Sequence, residues 1–461
     1  MCYLRVWLVV VSIFIVSAAQ AQSVAEVFGH NEQTRLIMHI EASMAEAQAK
    51  HGIIPQWAAK EIRAKVDPSL VTEAELKAAF SEVRHRMVAM LKAWGSKMDN
   101  GAEQYVHYGA TTVDIYDTLM ALQLIATIEH LQTQQLALET KLMALAKEHA
   151  TTIMPGRTLG QHALPITFGK KVTSWLAENR RHINRLKTVR DKLRHSAILK
   201  GAVGSYLGLG EKGPVVEQDF AVQLGLNKAY ADDWHASRDV FAEYAMVLAM
   251  MSKSLQRLGQ EIFLMQSTDL GEVYETRVGN AVSSSSMPHK KNPSRSEALI
   301  LAGRTIPAQA EVILDDMVNF YERDNTGGPN RVLASLSIAA DDMLKNANLL
   351  IKRLVVYPKQ MRENLNKTKG LITAQRIVMA LAPHMGKQHA DELIIEIARQ
   401  TYASDAQFVD MLIQNVDVTK HLSETEIRNL TDVATYRGED EALVEAVIDW
   451  VKSERKKDAG K

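Results

Sequence analysis

The chain has 461 residues, 46% of them hydrophobic, and carries 54 basic against 54 acidic side chains. That length and composition suit a folded protein with more than one core and exclude a disordered or fibrous chain. The even charge gives no basic excess to draw nucleic acid or an anionic membrane surface, so a small molecule is the expected partner.

Residues 1–21 read as a secretory leader. Arg5 precedes an apolar run from Val6 to Ala18, and Ala19-Gln20-Ala21 forms a small-residue cleavage site. A membrane anchor needs about 18 or more apolar residues, whereas this run is shorter and ends in small and polar residues. Export to a periplasm-like space is expected, with Gln22 as the mature N-terminus and no membrane attachment afterwards. Cys2 is the only cysteine. It leaves with the leader, so the mature chain has neither a disulfide nor a thiol nucleophile and depends on packing for stability.

Beyond the leader the pattern is helical. Apolar residues recur at Leu124, Ile128, Leu131, Leu138, Leu142 and Leu145. They recur again from Phe241 through Tyr244, Leu248, Met251, Leu255, Leu258 and Ile262 to Met265, at alternating steps of three and four. Both stripes exceed the usual helix length and predict a bundle of long, nearly parallel helices. They are also too extensive for one chain to cover on all sides, so an oligomer is expected. No alternating pattern predicts a sheet, and no internal repeat is visible. The expected division is an N-terminal helical domain over 22–112, a central long-helix bundle over 113–358, and a small helical domain over 359–461. Breakers cluster at 97–112, 153–169, 200–214, 269–294 and 325–330. Polar loops mounted on rigid helices are favoured places for chemistry.

Three loops carry that chemistry. The first contains His107-Tyr108-Gly109-Ala110-Thr111-Thr112-Val113-Asp114. Its adjacent hydroxyls and loop amides can cradle a carboxylate, although Thr112 or Asp114 can equally be a helix cap. The second is Gly156-Arg157-Thr158-Leu159-Gly160-Gln161-His162-Ala163. The third is Ser283-Ser284-Ser285-Ser286-Met287-Pro288-His289-Lys290-Lys291-Asn292-Pro293, followed by Glu297. A serine-rich linker would be of low complexity on both sides, whereas this run ends in an ordered pattern and a helix.

The third loop resembles the G-S-S-x-M-P-x-K-x-N signature of the fumarase/aspartase superfamily at all but its first position, where Ser283 stands. The first loop resembles the H-x-G-x-T-S-x-D-x-x-D-T segment of adenylosuccinate lyases, and the resemblance runs from about Val27 to Val451. It implies an all-α, three-domain fumarase/aspartase-like fold, a homotetramer with a twenty-helix core, and active sites where loops of three subunits meet. It implies a lyase that removes a proton next to a carboxylate and expels a group from the neighbouring carbon, often releasing fumarate. Ser284 is the implied carbon base. A hydroxyl acts so only if its alkoxide is stabilised, which an ammonium such as Lys290 and loop N–H groups can do. Lys290 and Asn292 would also hold the charge that develops on the substrate carboxylate. His107, Thr111, Thr112, Thr158 and Gln161 are the remaining substrate-binding candidates.

One position departs from the pattern. Most of these lyases read G-R-T-H-G-Q-H-A and pair that first histidine with a glutamate, and Leu159 occupies the place here while Glu297 remains. The 3-carboxy-cis,cis-muconate cycloisomerases carry tryptophan there. The acid is then sought at His85, which aligns with an active-site histidine of adenylosuccinate lyases, or at His162; either can equally be structural. Trp234-His235-Ala236-Ser237-Arg238-Asp239, Gly271-Glu272-Val273 and Glu322-Arg323-Asp324 also follow this branch, and are read as ion-pair networks. Adenylosuccinate itself is disfavoured, because the Arg-Tyr element that helps hold its phosphate is missing around Val27-Phe28-Gly29-His30. The expected reaction is C–N elimination from a substituted succinate. The alternatives are lactone chemistry of the cycloisomerase type, and a non-catalytic relative that keeps the fold. No metal constellation or phosphate loop is visible, and this chemistry needs no cofactor.

Overall fold

The computed structural model describes residues 23–459, except 233, 278, 280, 281, 283 and 325–328, and not the side chains of 329–331. The leader over 1–21 and Ser283 therefore lie outside the described residues. The fold is all-α.

Helix α1 (His30–Lys50) and α2 (Arg86–Gly95) belong to the N-terminal part. They bury Ile40, Met44, Met90 and Trp94 in a core that also takes Ile115, Leu119, Val216 and Phe220 from later in the chain. The bundle follows with α3 (Thr112–Glu148), α4 (Phe168–Leu193), α5 (Asp239–Met265), α6 (Ser294–Asp315) and α7 (Pro329–Lys352). The two apolar stripes fall on α3 and α5, and their residues share one core. Helices α5 and α6 pack very closely, because Gly259 and Gly303 lie at their contact. A Cβ on Gly303 would stand 2.4 Å from Gln256 Cβ, and one on Gly259 would stand 2.8 Å from Leu299 Cβ.

In the last segment α8 (Ala374–Met385) and α9 (Lys387–Ala403) build a separate small core with Phe408, Leu412 and Ile427. The final helix, α10 (Asp440–Ala459), leaves that core and returns to the bundle. Its Asp458 pairs with the fully buried Arg180, which also pairs with Glu139. At its start, Asp440 accepts the Thr167 amide at 2.6 Å.

Contrary to the sequence reading, short strands occur. β1 (Ile153–Thr158) and β2 (Gln161–Thr167) form an antiparallel hairpin, and β3 (Val273–Glu275) pairs with β4 (Leu354–Val356). The hairpin escapes prediction because Pro155, Gly156 and Pro165 break any alternation and its outer half is polar and exposed.

Candidate active site

At the start of α3 the first loop is held by buried carboxylates. Glu41, fully buried on α1, accepts the His107 amide at 3.0 Å and faces His107 Nδ1 at 2.7 Å. His107 has a left-handed backbone, φ 61°. Burial resists charging of its ring, but the bond to Glu41 and the nearby Asp114 outweigh it and raise its pKa. Thr111 caps α3, and its amide donates to Asp114 Oδ2 at 2.8 Å. The capping role of this segment is thus present, and the hydroxyl-bearing Thr111 and Thr112 side chains stay half-buried above it.

Asp114 also accepts the amides of Lys200 and Gly201 and faces His235 Nε2 at 3.1 Å. His235 Nδ1 faces Asp117 Oδ2 at 2.7 Å, and Arg238 donates to the same oxygen at 2.9 Å. Both ring nitrogens of a fully buried histidine therefore meet carboxylates, and an imidazole can donate at both only when charged. Burial opposes that charge; the bonds to Asp114 and Asp117 overcome it and raise the His235 pKa. Burial likewise pushes the Asp117 carboxyl up, but Arg238 and His235 outweigh it and bring it down. The Trp234–Asp239 segment thus forms the expected ion-pair network. Beyond it, Arg238 Nε lies 3.5 Å from Asp316. His85 belongs to this end of the bundle, since its neighbour Arg86 acts on the Tyr116 hydroxyl. It is an exposed helix N-cap whose Nδ1 accepts the Val88 amide at 3.3 Å.

The other two loops stand at the opposite end. Arg157 on β1 makes a two-pronged bond to the fully buried Glu272, at 2.9 and 2.6 Å, and Asn364 donates to the same carboxylate at 2.9 Å. Past Arg157 the hairpin turns through Leu159 (φ 52°) and Gly160 (φ 78°), with Thr158 opposite Gln161. Positive φ at both turn positions is what a two-residue hairpin turn of type I′ requires. The Leu159 side chain is 100% exposed. Burial, and then the Arg157 charge, hold the pKa of half-buried His162 below the ordinary histidine value, although Glu272 works against them.

Ser284 Oγ accepts the Met287 amide at 3.0 Å. Arg277 ties the loop's two sides, donating to the carbonyls of Val282 at 2.8 Å and Asn292 at 2.9 Å. Glu275 fixes the start of α6 by accepting the amides of Arg295 and Ser296, both at 3.0 Å. Lys290 and Glu297 are exposed, Glu297 on the first turn of α6, and Asn292 is half-buried.

The candidates thus fall into two groups in one chain. His85, His107, Thr111 and Thr112 stand at one end of α3, and Thr158, Gln161, His162, Ser284, Lys290, Asn292 and Glu297 at the other. Helix α3 has 37 residues, and at about 1.5 Å per residue it spans about 55 Å. No small substrate bridges that distance. Sequence reasoning had not singled out Glu41, Arg157 as an anchor, or Asn364. Glu41 had a signal, as a lone carboxylate inside the run from Leu36 to Ala45 that is otherwise largely apolar.

Comparison with known proteins agrees with this architecture. Residues 16–307 match the family model described as "Lyase", and residues 370–447 match "Adenylosuccinate lyase C-terminus". The chain belongs to the fumarase/aspartase superfamily. Within it the chain lies in the adenylosuccinate lyase and carboxy-muconate cycloisomerase branch, and it is a lyase. An adenylosuccinate lyase of Methanocaldococcus jannaschii is 33% identical over 93% of this chain and 94% of its own length. An N-acetyl-S-(2-succino)cysteine lyase of Dickeya dadantii is 31% identical over 91% of this chain and 92% of its own. A 3-carboxy-cis,cis-muconate lactonizing enzyme from Pseudomonas putida superposes with a TM-score of 0.86 at 30% identity, covering 93% of this chain and 97% of that one. In this lyase the superfamily signature loop and the hairpin bearing Leu159 occupy one end of the bundle, as described above.

Proposed function

We propose that the protein is a C–N lyase that eliminates an amine from a substituted succinate or a similar small carboxylate, with Ser284 as the carbon base. The observation that carries this reading is the amide of Met287 aimed at Ser284 Oγ at 3.0 Å, inside the loop that matches the superfamily signature. A donor at that oxygen lowers the cost of an alkoxide there. In the reaction Ser284 Oγ takes the proton from the carbon beside a carboxylate. The electron pair left behind forms the C=C bond, the C–N bond breaks, and the amine departs with a proton from a general acid. Thr111, Thr112, Lys290 and Asn292 are the proposed carboxylate ligands, with His107, Thr158 and Gln161 beside them. Glu297 and the histidines 85 and 162 are the proposed proton carriers, and no cofactor is required. The similarity to adenylosuccinate lyases over most of the chain supports nitrogen as the leaving atom.

We also propose that the site is pooled among the subunits of a homotetramer, because the two candidate groups stand about 55 Å apart in one chain by helix length. Exposed apolar residues on α6 and just beyond it, including Leu301, Val312, Val318 and Phe320, support an assembly that covers this face. Export by cleavage after Ala21 is part of the same proposal. A second reading, lactone chemistry, is favoured by Leu159, since an elimination that must protonate an amine has lost its usual histidine there.

The test is a panel of N- and S-substituted succinates and a muconolactone, followed by ultraviolet absorbance of the new conjugated acid. On the substrate found, Ser284→Ala should bind with little change and lose kcat by about a thousandfold or more. Undiminished turnover in Ser284→Ala rules out the carbon-base assignment. The histidine variant, of His85→Ala and His162→Ala, that loses turnover without losing binding identifies the acid.

A further inference from the structure

Beside the root of the signature loop the surface opens into a cleft of about 340 Å³. Half-buried Arg277, Arg295 and Arg353 line it. Arg277 is rigidly held, with Nη1 on the Val282 carbonyl at 2.8 Å and Nη2 on the Asn292 carbonyl and Ser294 Oγ, both at 2.9 Å. Those bonds use three of its five N–H donors, so two remain. Arg295 Nη1 donates to Asn346 Oδ1 at 3.2 Å, a neutral acceptor that leaves its charge unbalanced. The Arg353 guanidinium has neither a hydrogen bond nor an ion pair among the described residues.

One carboxylate lines the cleft, that of Glu275, and it is already committed. Its oxygens accept the amides of Arg295 and Ser296 at 3.0 Å and the Ser296 hydroxyl at 2.5 Å. Three guanidiniums against one carboxylate leave an excess of two positive charges in a partly desolvated recess. Like charges brought together away from water repel, and an anion with several acceptor oxygens relieves that repulsion while taking up the spare donors.

We propose that this cleft is a binding site for a small oxyanion, the phosphate or carboxylate group of a small molecule, held by Arg353 and Arg295 against the fixed wall of Arg277. The site does not depend on the chemistry assigned to Ser284, and its test is direct binding rather than turnover. Isothermal titration of the purified protein at constant ionic strength would use inorganic phosphate in one arm and tricarballylate in the other, with chloride as the background anion. The expected result is saturable binding of at least one probe, weakened about tenfold in Arg353→Gln and in Arg295→Gln, with Arg353→Lys intermediate because it keeps the charge without the fork. The arm that saturates tells phosphate from carboxylate. Absence of saturable binding in both arms overturns the proposal, as does equal affinity in wild type and in whichever glutamine variants keep the wild-type circular dichroism spectrum.

Discussion

Replacing Asp114 by asparagine tests whether the loop from His107 to Asp114 is held by one buried carboxylate. Asp114 Oδ1 accepts the Lys200 and Gly201 amides at 3.2 and 3.3 Å and faces His235 at 3.1 Å, while Oδ2 accepts the Thr111 amide at 2.8 Å. Every one of these partners is a donor. An asparagine keeps one oxygen and presents an NH2 group in place of the other, so one set of donors must face a donor. If Thr111 keeps its oxygen, Lys200 N and His235 Nε2 lose theirs, and each buried donor left unmade costs about 1–3 kcal/mol. Loss of one carboxylate beside a charged, buried histidine costs about 3–5 kcal/mol. The two figures describe overlapping losses, so the expected destabilisation is about 4 kcal/mol, close to a thousandfold in the folding equilibrium. Urea unfolding followed by circular dichroism should show a lower midpoint with an unchanged slope. Glu297→Gln, at an exposed position, is the control and should stay within about 0.5 kcal/mol of wild type. An Asp114→Asn protein within about 1 kcal/mol of wild type would refute the view that this carboxylate organises the loop.

Three further outcomes follow from the same structure. The pKa values of His235 and His107 are raised above the ordinary histidine value of 6.5, so their contribution to stability is complete below that value and is lost as pH rises through the folded pKa. His39 and His182, lowered to about 4 mainly by burial, act in the opposite sense and cost stability as pH falls from 6.5 toward 4. The difference in unfolding free energy between wild type and His235→Gln should therefore shrink as pH rises above 6.5, and a difference that grows would contradict the charged histidine. Light scattering should give a tetramer near four times the mass of the mature chain, and a monodisperse monomer would remove the pooled site. Mass spectrometry of the exported protein should find Gln22 at the N-terminus, whereas an intact chain carrying Cys2 in the membrane fraction would contradict cleavage.

How far the sequence could be read depends on the kind of signal each element leaves. The stripes of α3 and α5 were legible because their apolar members, from Leu124 to Leu145 and from Phe241 to Met265, face one core, and burial writes itself as spacing. The hairpin was not, since Thr158, Gln161 and Leu164 are exposed and leave no alternation to detect. Strands β3 and β4 have three residues each, too few for any period. Motif resemblance named the candidate residues, but their arrangement was not legible in it. Only the directions of α3 and α5, fixed by His235 on Asp114 at one end and Arg157 on Glu272 at the other, reveal that the loops stand a helix length apart.

Leu159 gains its meaning from that separation. A leucine left wholly exposed at the apex of a rigid hairpin serves nothing in a single chain, and its positive φ is itself unfavourable for a branched side chain. The hairpin is nevertheless well anchored, with Arg157 spent on a fully buried carboxylate just two residues before the apex. Such anchoring suits a residue presented to a neighbouring subunit, where an apolar tip can exclude water and shape a pocket but cannot carry a proton. In the proposed elimination the acid then comes from elsewhere, and the surroundings of His162, burial first and then the Arg157 charge, hold its pKa below the ordinary histidine value, which disfavours the protonated form. His85 stands with Thr111 and Thr112 at the end that would meet another chain's hairpin, and in its place as a helix N-cap it keeps Nε2 free of the Val88 amide. We therefore propose His85 as the donor for a departing amine, with His162 in a role in which a neutral ring suffices.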